Sequence, residues 1–389
     1  MITCKADPSI QRITSGNFQF PLGAYPVEPL TPRQGYSVHF EPADGDDESG
    51  EWEEWPDRYV YDAVISAERV EPLCRMLFSL FPGRVYPILD VLGHDAYREI
   101  DPYISYDLVG LDRFTDAVRR FRDFLFEDGM CGFGAMSEEP FFYIFIDEHK
   151  IITLRCEPGI KEKVEKILAA FDLEQVEEPA GADAAAHEHR GVLMVPSDKP
   201  DLLSQEEIVE RLKDEWSLLL NVDPDTNIDD EGRDLGVTPW RVIVRCEYEH
   251  KPARYAEVLV DAPNLREAEE VAFDAVDELV SLDPPDAKGP VSPMSPIAPI
   301  AEAAGTTKAP ETPTTPNDAP EEEVTWEDAV IVAADRVSDE LLQKLMDAAQ
   351  ASVGRRVTGN DPRRLRGGTG GSESGGGGGG GVHSARWLA

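Results

Sequence analysis

Two stretches of low complexity limit how much of this 389-residue chain can fold. Residues 283–321 are rich in Pro, Ala, Thr and acidic side chains, and residues 353–389 form an Arg/Gly-rich tail with seven consecutive glycines at 375–381. Sequences of this kind bury too little apolar surface to offset the entropy that a chain loses when it becomes ordered. We therefore predict that both stretches are disordered and that packed structure lies in the other segments.

The segment 56–175 alternates between strand-like and helix-like patterns. Apolar residues recur at helical spacing over 111–126, and the strand-like runs 131–136, 141–146 and 151–156 follow one another. The run at 141–146 is apolar or aromatic throughout, which is typical of a strand that is covered on both faces. These patterns predict an α+β fold in which a mixed or antiparallel sheet carries helices.

A smaller αββα pattern is predicted after this domain. Ser204 and Glu207 have the spacing of a capping box, residues 240–247 alternate in polarity, and Asn264 can cap the closing helix. A βα pattern at 322–352 is too short to bury a core alone, so it must dock on another domain or on a second chain.

The predicted parts are an extended, irregular N-terminal segment 1–55, an α+β domain 56–175, a linker 176–201, an αββα domain 202–282, a disordered linker 283–321, a docking βα element 322–352 and a disordered tail 353–389.

Acidic side chains outnumber basic ones by 76 to 37, so the formal net charge is −39 at pH 7. Such a surface repels phosphate backbones and anionic lipid head groups, which argues against nucleic-acid partners and against a membrane role. The acidity is compatible with a salt-adapted cytoplasm, and the excess of Arg over Lys is compatible with a GC-rich genome.

The compartment is inferred from the N-terminus, the apolar runs and the cysteines. The N-terminus lacks the apolar core of a secretory signal, and the longest strongly apolar run is far shorter than the roughly 18 residues of a membrane-spanning helix. The cysteines form no CxxC motif and have no regular spacing, which is typical of reduced, buried thiols. We therefore predict a cytoplasmic protein. The cysteines are Cys4, Cys74, Cys131, Cys156 and Cys246.

The acidic loop 223–234 contains the strongest chemical motif. Oxygen-bearing residues stand at its positions 1, 3, 5, 7, 9 and 12, namely Asp223, Asp225, Asn227, Asp229, Glu231 and Asp234. This ladder resembles the calcium loop of the EF-hand family and implies a weak site for Ca²⁺ or Mg²⁺. The family's glycine at position 6 is replaced by Ile228, and a strand rather than a helix is predicted to follow. The alternative interpretation is a polar connection between a helix and a strand.

Cysteine and histidine residues suggest two further sites, for which we favour structural interpretations. A cysteine hydrolase needs a thiolate beside a base, and Cys131 with His149 and Asp147 is the available combination. We interpret these residues instead as a buried strand thiol and a solvated turn. His187 and His189 fall in the predicted linker, and two ligands on a flexible segment are not preorganised for a metal, so we predict a solvated spacer.

Two segments have the composition of partner-binding surfaces. Trp52 and Trp55 stand among acidic residues and can dock in a basic, apolar groove, although they can also fold back onto the first domain. The densest basic cluster is followed by glycines, as in RNA-binding segments, but we favour contact with the acidic body of the same or a neighbouring chain. The cluster consists of Arg355, Arg356, Arg363, Arg364 and Arg366.

None of these motifs brings together a nucleophile, a base and an orienting group, and none of them is a cofactor-binding loop. We therefore predict a non-catalytic, acidic cytoplasmic protein of the adaptor or regulatory type. It is expected to use no cofactor and to act through protein–protein contacts. Two alternatives stay open: a weak cation-binding protein that uses the acidic loop, and an enzyme with a site between the two domains. Candidate residues for the enzyme are His94, Asp95, Glu99, Asp101 and Tyr103.

Overall fold

The computed structural model describes residues 4–43, 55–194, 202–248, 251–282, 328–356 and 382–388. These residues form helices and antiparallel sheets, which confirms the predicted α+β class. The chain divides into two compact units, Met1–Asp223 and Pro224–Ala389. None of the helices in the described part combines the length and the apolar character that crossing a bilayer requires.

The first unit contains five α-helices and thirteen strands among its described residues. The helices are α1 (Ala67–Phe78), α2 (Leu111–Arg120), α3 (Arg122–Glu127), α4 (Lys161–Ala170) and α5 (Gln205–Trp216). The strands are β1 (Thr14–Ser15), β2 (Phe18–Gln19), β3 (Ala24–Pro26), β4 (Gly35–Glu41), β5 (Arg58–Val64), β6 (Arg84–Leu92), β7 (Ile100–Ser105), β8 (Val109–Gly110), β9 (Cys131–Ser137), β10 (Phe142–Ile146), β11 (Ile152–Cys156), β12 (His187–His189) and β13 (Leu218–Leu220). Short 3-10 turns are found at Pro158–Ile160 and Ala182–Ala184.

Nine strands of the first unit form one antiparallel main sheet. Its order is β13-β7-β6-β9-β10-β11-β5-β4, and β8 pairs with β6. One face, here called the inner face, carries Phe142, Ile144 and Ile146 and packs into one apolar core with buried residues from all five helices. The opposite face is called the outer face.

The sequence pattern predicts that the strand at 141–146 is covered on both faces, but the structure buries only one face completely. Burial along β10 alternates: Phe142, Ile144 and Ile146 are fully buried, whereas Tyr143 and Phe145 are partly exposed on the outer face. An unbroken apolar run therefore arises here because aromatic residues occupy the outer positions of a period-two strand. Such residues need partners of their own outside the helical core.

Two segments that the sequence pattern separates from the first domain belong to the first unit. The predicted capping box of α5 is present, and the buried Trp216 of this helix packs on Phe114 of α2 with ring centroids 5.0 Å apart. After Ser217, which adopts a left-handed conformation, β13 pairs with β7. Within the predicted linker, β12 pairs with β3, near the N-terminus. Local patterns miss both associations because the pairing partners are distant in sequence.

The second unit is built on a four-stranded antiparallel sheet in the order β16-β14-β15-β17. Helix α6 contacts all four strands, and the amide of Glu267 donates to the capping side chain of Asn264 at 2.9 Å. Its described elements are β14 (Thr238–Tyr248), β15 (Lys251–Ala262), α6 (Leu265–Leu282), β16 (Asp328–Arg336), α7 (Asp339–Arg356) and β17 (Val382–Trp387).

Both edges of this sheet are formed by strands from beyond residue 322. Strand β16 pairs with β14, so the βα element docks within its own chain. Strand β17 pairs with β15, so residues 382–387, which lie within the tail predicted to be disordered, form a strand in the structure. The buried Glu257 accepts hydrogen bonds from Arg241 on β14 and Arg386 on β17, each at 2.7 Å, and ties three strands together. These two hydrogen bonds outweigh the effect of burial and lower the pKa of Glu257.

We predict that Trp216→Ala destabilises the first unit by about 3–5 kcal/mol, because it leaves a cavity beside Phe114. Hydrogen exchange of the full chain should then accelerate in α2 and β7 but not in β14 and β15. The control is Leu219→Ala, which truncates a side chain that is 61% exposed. Faster exchange in β14 and β15 with an unchanged α2 would contradict the assignment of α5 to the first unit.

Candidate functional site

The outer face of the main sheet contains an open hollow of about 460 Å³, here called the outer-face hollow. Its aromatic lining consists of Trp55, Tyr86, Tyr106, Tyr143 and Phe145. Its polar lining includes Asp90, Glu138, Arg155 and Asn221. The site therefore combines a large aromatic surface with a few charged groups, which is the composition of a recognition site.

Strand register and Gly134 shape the floor of this hollow. Met136 lies opposite both Tyr86 and Tyr143, which places three large side chains in one row across the sheet. The next row contains Phe145 opposite Gly134. A Cβ atom on Gly134 would lie 2.1 Å from the carbonyl oxygen of Ile144 and 3.0 Å from the Phe145 ring. Glycine is therefore required at this position for the close approach of Phe145.

Trp55 forms one wall of the hollow. Its ring makes edge contacts with Phe141 and Tyr143 at centroid distances of 5.4 and 6.4 Å. The guanidinium of Arg155 lies 5.1 Å from the Trp55 centroid and 5.3 Å from that of Tyr143, which is within the range of cation–π attraction. Trp55 therefore packs onto the first unit, one of the two outcomes considered for it.

Burial raises the pKa of several groups in the hollow. The pKa of Asp90 rises to about 6 because the carboxylate is desolvated and Glu148 is nearby. Burial also raises the pKa of Tyr143 to about 12, against the opposing charge of Arg155. Desolvation and the charge of Glu138 raise the pKa of Tyr86. Both phenols are therefore hydrogen-bond donors at neutral pH, and Asp90 is largely ionised there.

Three histidines form a second constellation, here called the histidine cluster. His149 lies in the turn between β10 and β11, and His187 and His189 lie on β12. Their ring centroids are 4.7, 4.7 and 5.0 Å apart, and one nitrogen from each ring lies within 4.8 Å of the other two. The predicted solvated spacer is therefore wrong for His187 and His189, because pairing with β3 holds both on a strand.

The pKa values within the histidine cluster move in opposite directions. Burial lowers the pKa of His149, but the hydrogen bond and charge of Asp147 and the charge of Glu148 outweigh it, so the pKa is raised. The pKa of His189 is lowered, first by burial and then by the two neighbouring imidazoles, against a hydrogen bond to Gly129. The opposite directions follow from the carboxylates beside His149, whose effect on that ring outweighs burial.

The thiol of Cys131 is buried and unsuited to nucleophilic attack. Burial raises its pKa to about 12, so the thiolate is scarce at neutral pH. Its Sγ lies 3.5 Å from the carbonyl oxygen of Phe124, and the buried Lys150 donates to the Cys131 carbonyl at 2.7 Å. This geometry favours the structural interpretation of Cys131.

The residues proposed for the alternative enzyme all lie in the first unit. Arg98 forms an ion pair with Asp101 at 2.6 Å, and Asp95 accepts from the amide of Tyr97 at 2.9 Å. The ring of Tyr103 lies 4.5 Å from the ammonium of Lys213. The two carboxylates therefore organise the connection between β6 and β7. The remaining two candidates, His94 and Glu99, are exposed.

The acidic loop uses its side-chain oxygens for internal contacts. Asp225 accepts two hydrogen bonds from Arg266, at 2.6 and 2.9 Å. Asp229 accepts from the amides of Glu231 and Arg233 at 3.0 and 2.9 Å, and its other oxygen is 2.8 Å from Nε of Arg233. These oxygens are directed toward arginines and amides, not toward a common centre.

Asn227 and Asp234 also use their side-chain oxygens for contacts with neighbouring residues. The buried Asn227 donates to the carbonyl of Gly236 at 2.6 Å and accepts from Arg336 at 3.1 Å. Asp234 accepts from the amide of Gly236 at 2.8 Å, and Asp223 is exposed. No acidic residue of the loop is in a group of converging ligands within the described chain. The cation site at this loop stays a prediction, which the loop geometry does not support.

The predicted basic cluster lies mainly outside the described residues, as does Trp52. Arg355 and Arg356 are the last residues of α7. Arg363, Arg364 and Arg366 belong to the part of the tail that is not described. Binding by this cluster stays a prediction.

Sequence reasoning missed most of the outer-face hollow and the convergence of the histidines. Two signals were present: Gly132 and Gly134 at alternate positions of a strand, and His187 and His189 two residues apart. Side chains two residues apart on a strand lie on the same face. The two glycines therefore lie on one face of their strand, and the two histidines lie on one face of theirs. Recognising the second pair required knowing that residues 187–189 form a strand.

Comparisons with known proteins assign no family to this chain. Searches against protein-family models, curated proteins and solved structures find no match. The chemistry of the outer-face hollow and of the histidine cluster therefore carries the functional conclusions.

We predict that Asp90→Asn stabilises the first unit at neutral pH. The folded-state pKa of about 6 exceeds the unfolded value near 4, so the wild type loses stability as the pH rises between these values. Asparagine does not titrate, so the stability of the variant does not change through this group. The difference in free energy of unfolding between the variant and the wild type should therefore grow by roughly 1–2 kcal/mol from pH 4 to pH 7, after allowance for partial exposure. Urea denaturation at both pH values measures the difference.

The control for this experiment is Asp107→Asn, which changes an exposed aspartate. It makes the same chemical change at a side chain that does not line the outer-face hollow. An advantage of Asp90→Asn that is equal at both pH values, or larger at pH 4, would contradict the assignment of the raised pKa to Asp90.

Proposed function

We propose that this chain is a non-catalytic protein of the adaptor or regulatory type that binds a polypeptide partner in its outer-face hollow. The observation that carries the proposal is the convergence of Trp55, Tyr86, Tyr143 and Arg155 on an open surface of the sheet. Tryptophan, tyrosine and arginine are enriched among the few residues that carry most of the binding energy at protein interfaces. The hollow supplies all three on the face opposite the helical core.

The charges of the hollow favour a basic segment as the partner. Asp90 and Glu138 stand beside aromatic rings, so a Lys or Arg side chain can pair with a carboxylate while its methylene stem packs on a ring. The net charge of −39 steers a basic partner toward the protein and repels polyphosphates. The proposed partner is therefore a polypeptide with a cationic side chain next to an apolar one.

The cysteines support a reducing compartment for this activity. All five are free and buried. Burial raises the pKa of Cys74, Cys131, Cys156 and Cys246, which keeps these thiols protonated and slows their oxidation. Such thiols are consistent with the cytoplasmic location that we propose.

The test uses an array of peptides in which Lys or Arg adjoins Leu, Phe or Trp, together with matched peptides that carry Glu at the cationic position. We expect micromolar binding of basic peptides to the full chain and at least tenfold weaker binding of the Glu peptides. The affinity should fall as salt is added, because exposed charges are screened. Fluorescence anisotropy of labelled peptides measures both effects.

Variants of the hollow identify the binding surface. Trp55→Ala and the double variant Asp90→Asn/Glu138→Gln should each weaken binding of the best basic peptide at least tenfold. The matched control is Met76→Ala, which truncates an exposed apolar residue on α1 and should leave the affinity unchanged. The proposal is refuted if no basic peptide binds, or if binding survives both changes in the hollow.

A further inference from the structure

The histidine cluster has its imidazoles at the separation that a metal ion imposes. The Nε2 atoms of His149 and His187 are 3.0 Å apart, and one nitrogen of His189 lies within 4.8 Å of both. Two nitrogens bound to one tetrahedral zinc ion at 2.0–2.1 Å are about 3.4 Å apart. Small rotations of the rings therefore bring all three nitrogens to one centre.

Hydrogen bonds identify the nitrogen that each ring presents to this centre. Nδ1 of His187 lies 2.8 Å from the carbonyl oxygen of Ala185, and Nδ1 of His189 lies 2.9 Å from that of Gly129. A carbonyl oxygen can only accept, so both Nδ1 atoms carry the hydrogen. In the neutral rings the lone pair is then on Nε2, which is the atom that binds a metal.

His149 follows the same arrangement with carboxylates in place of carbonyls. Its Nδ1 lies 3.3 Å from Asp147 and 3.4 Å from Glu148, and ionised carboxylates can only accept. Its neutral form therefore also presents a lone pair on Nε2, directly toward the lone pair of His187. Two facing lone pairs repel, so the pair requires a cation between them, either a proton or a metal ion.

The backbone holds these three rings before any ion binds. In the turn that carries His149, the amide of Lys150 donates to Asp147 O at 3.1 Å and the amide of Ile151 donates to Asp147 Oδ1 at 2.8 Å. His187 and His189 lie on one face of β12, which is paired with β3. Carboxylate and carbonyl acceptors behind metal-binding imidazoles are the usual outer shell of such sites, and they orient the rings.

We propose that His149, His187 and His189 bind a divalent transition-metal ion, most favourably zinc, through their Nε2 atoms. Imidazole ligands favour Zn²⁺ over Ca²⁺ or Mg²⁺, which prefer oxygen. Three protein ligands leave the fourth tetrahedral position to water or to a ligand from solution, which can reach these half-buried rings. The ion also connects β12 to the hairpin of β10 and β11. This site is separate from the proposed peptide-binding function.

Cobalt and zinc titrations of the full chain, first stripped of metal with a chelator, test the site. We expect one Co²⁺ per chain to produce a visible absorption band of tetrahedral cobalt and to be displaced by one equivalent of Zn²⁺. Calorimetry should give a zinc Kd in the micromolar range or below. His187→Ala and His189→Ala should each weaken zinc binding at least a hundredfold, because each removes one of three ligands.

The matched control is His39→Ala, which removes an exposed histidine paired with Glu41 outside the cluster and should retain the wild-type affinity. Circular dichroism of the metal-free variants shows whether they remain folded, and His187→Gln provides a second, less disruptive change. Nitrogen-15 shifts of the histidine rings should show metal binding at Nε2. The proposal is overturned if no ion binds, if binding is unaffected by both cluster variants, or if only a protonated His149 is detected.

Discussion

The two-residue period of an antiparallel strand determines how the first unit is organised. Along β10, Phe142, Ile144 and Ile146 face the helices, and Tyr143 and Phe145 face the other way. Residues that are paired across neighbouring strands point to the same face of the sheet. Each row on a face therefore receives one side chain from each strand. The helices pack on one face of the sheet, and this face forms the core. The other has an open aromatic surface, which is the basis of the proposed binding function.

Long-range strand pairing creates the second chemical feature of this unit. The pairing of β3 with β12 connects residues 24–26 to residues 187–189 and turns a polar segment into a rigid strand. Without this partner, His187 and His189 would be two solvated side chains with little affinity for an ion. With it, both stand opposite His149 with their Nδ1 hydrogens already committed to carbonyl oxygens. Preorganisation, not the number of histidines, distinguishes this site from an ordinary polar segment.

Electrostatics acts differently in the two units. In the second unit, the buried Glu257 is compensated by Arg241 and Arg386, so its charge contributes to the association of three strands. In the outer-face hollow, Asp90 is partly buried beside aromatic rings, and its pKa is raised. A compensated carboxylate supports the fold, whereas Asp90 offers a place for a cation. Under the proposed function, the net charge of −39 acts at long range and favours a cationic partner.

Local patterns predicted the α+β class, the strands β9 to β11, the cap of α6 and the capping box of Ser204 and Glu207, because each depends on neighbouring residues. Tertiary structure decided where α5 packs, that β17 completes a sheet at residues 382–387, and that His149 meets His187 and His189. These outcomes depend on contacts between residues far apart in the chain, whose energies no local window contains. The sequence by itself therefore determined the elements and the sign of the surface charge. Only folding decided which side chains share a site, because register and sheet-edge pairing are properties of the whole assembly.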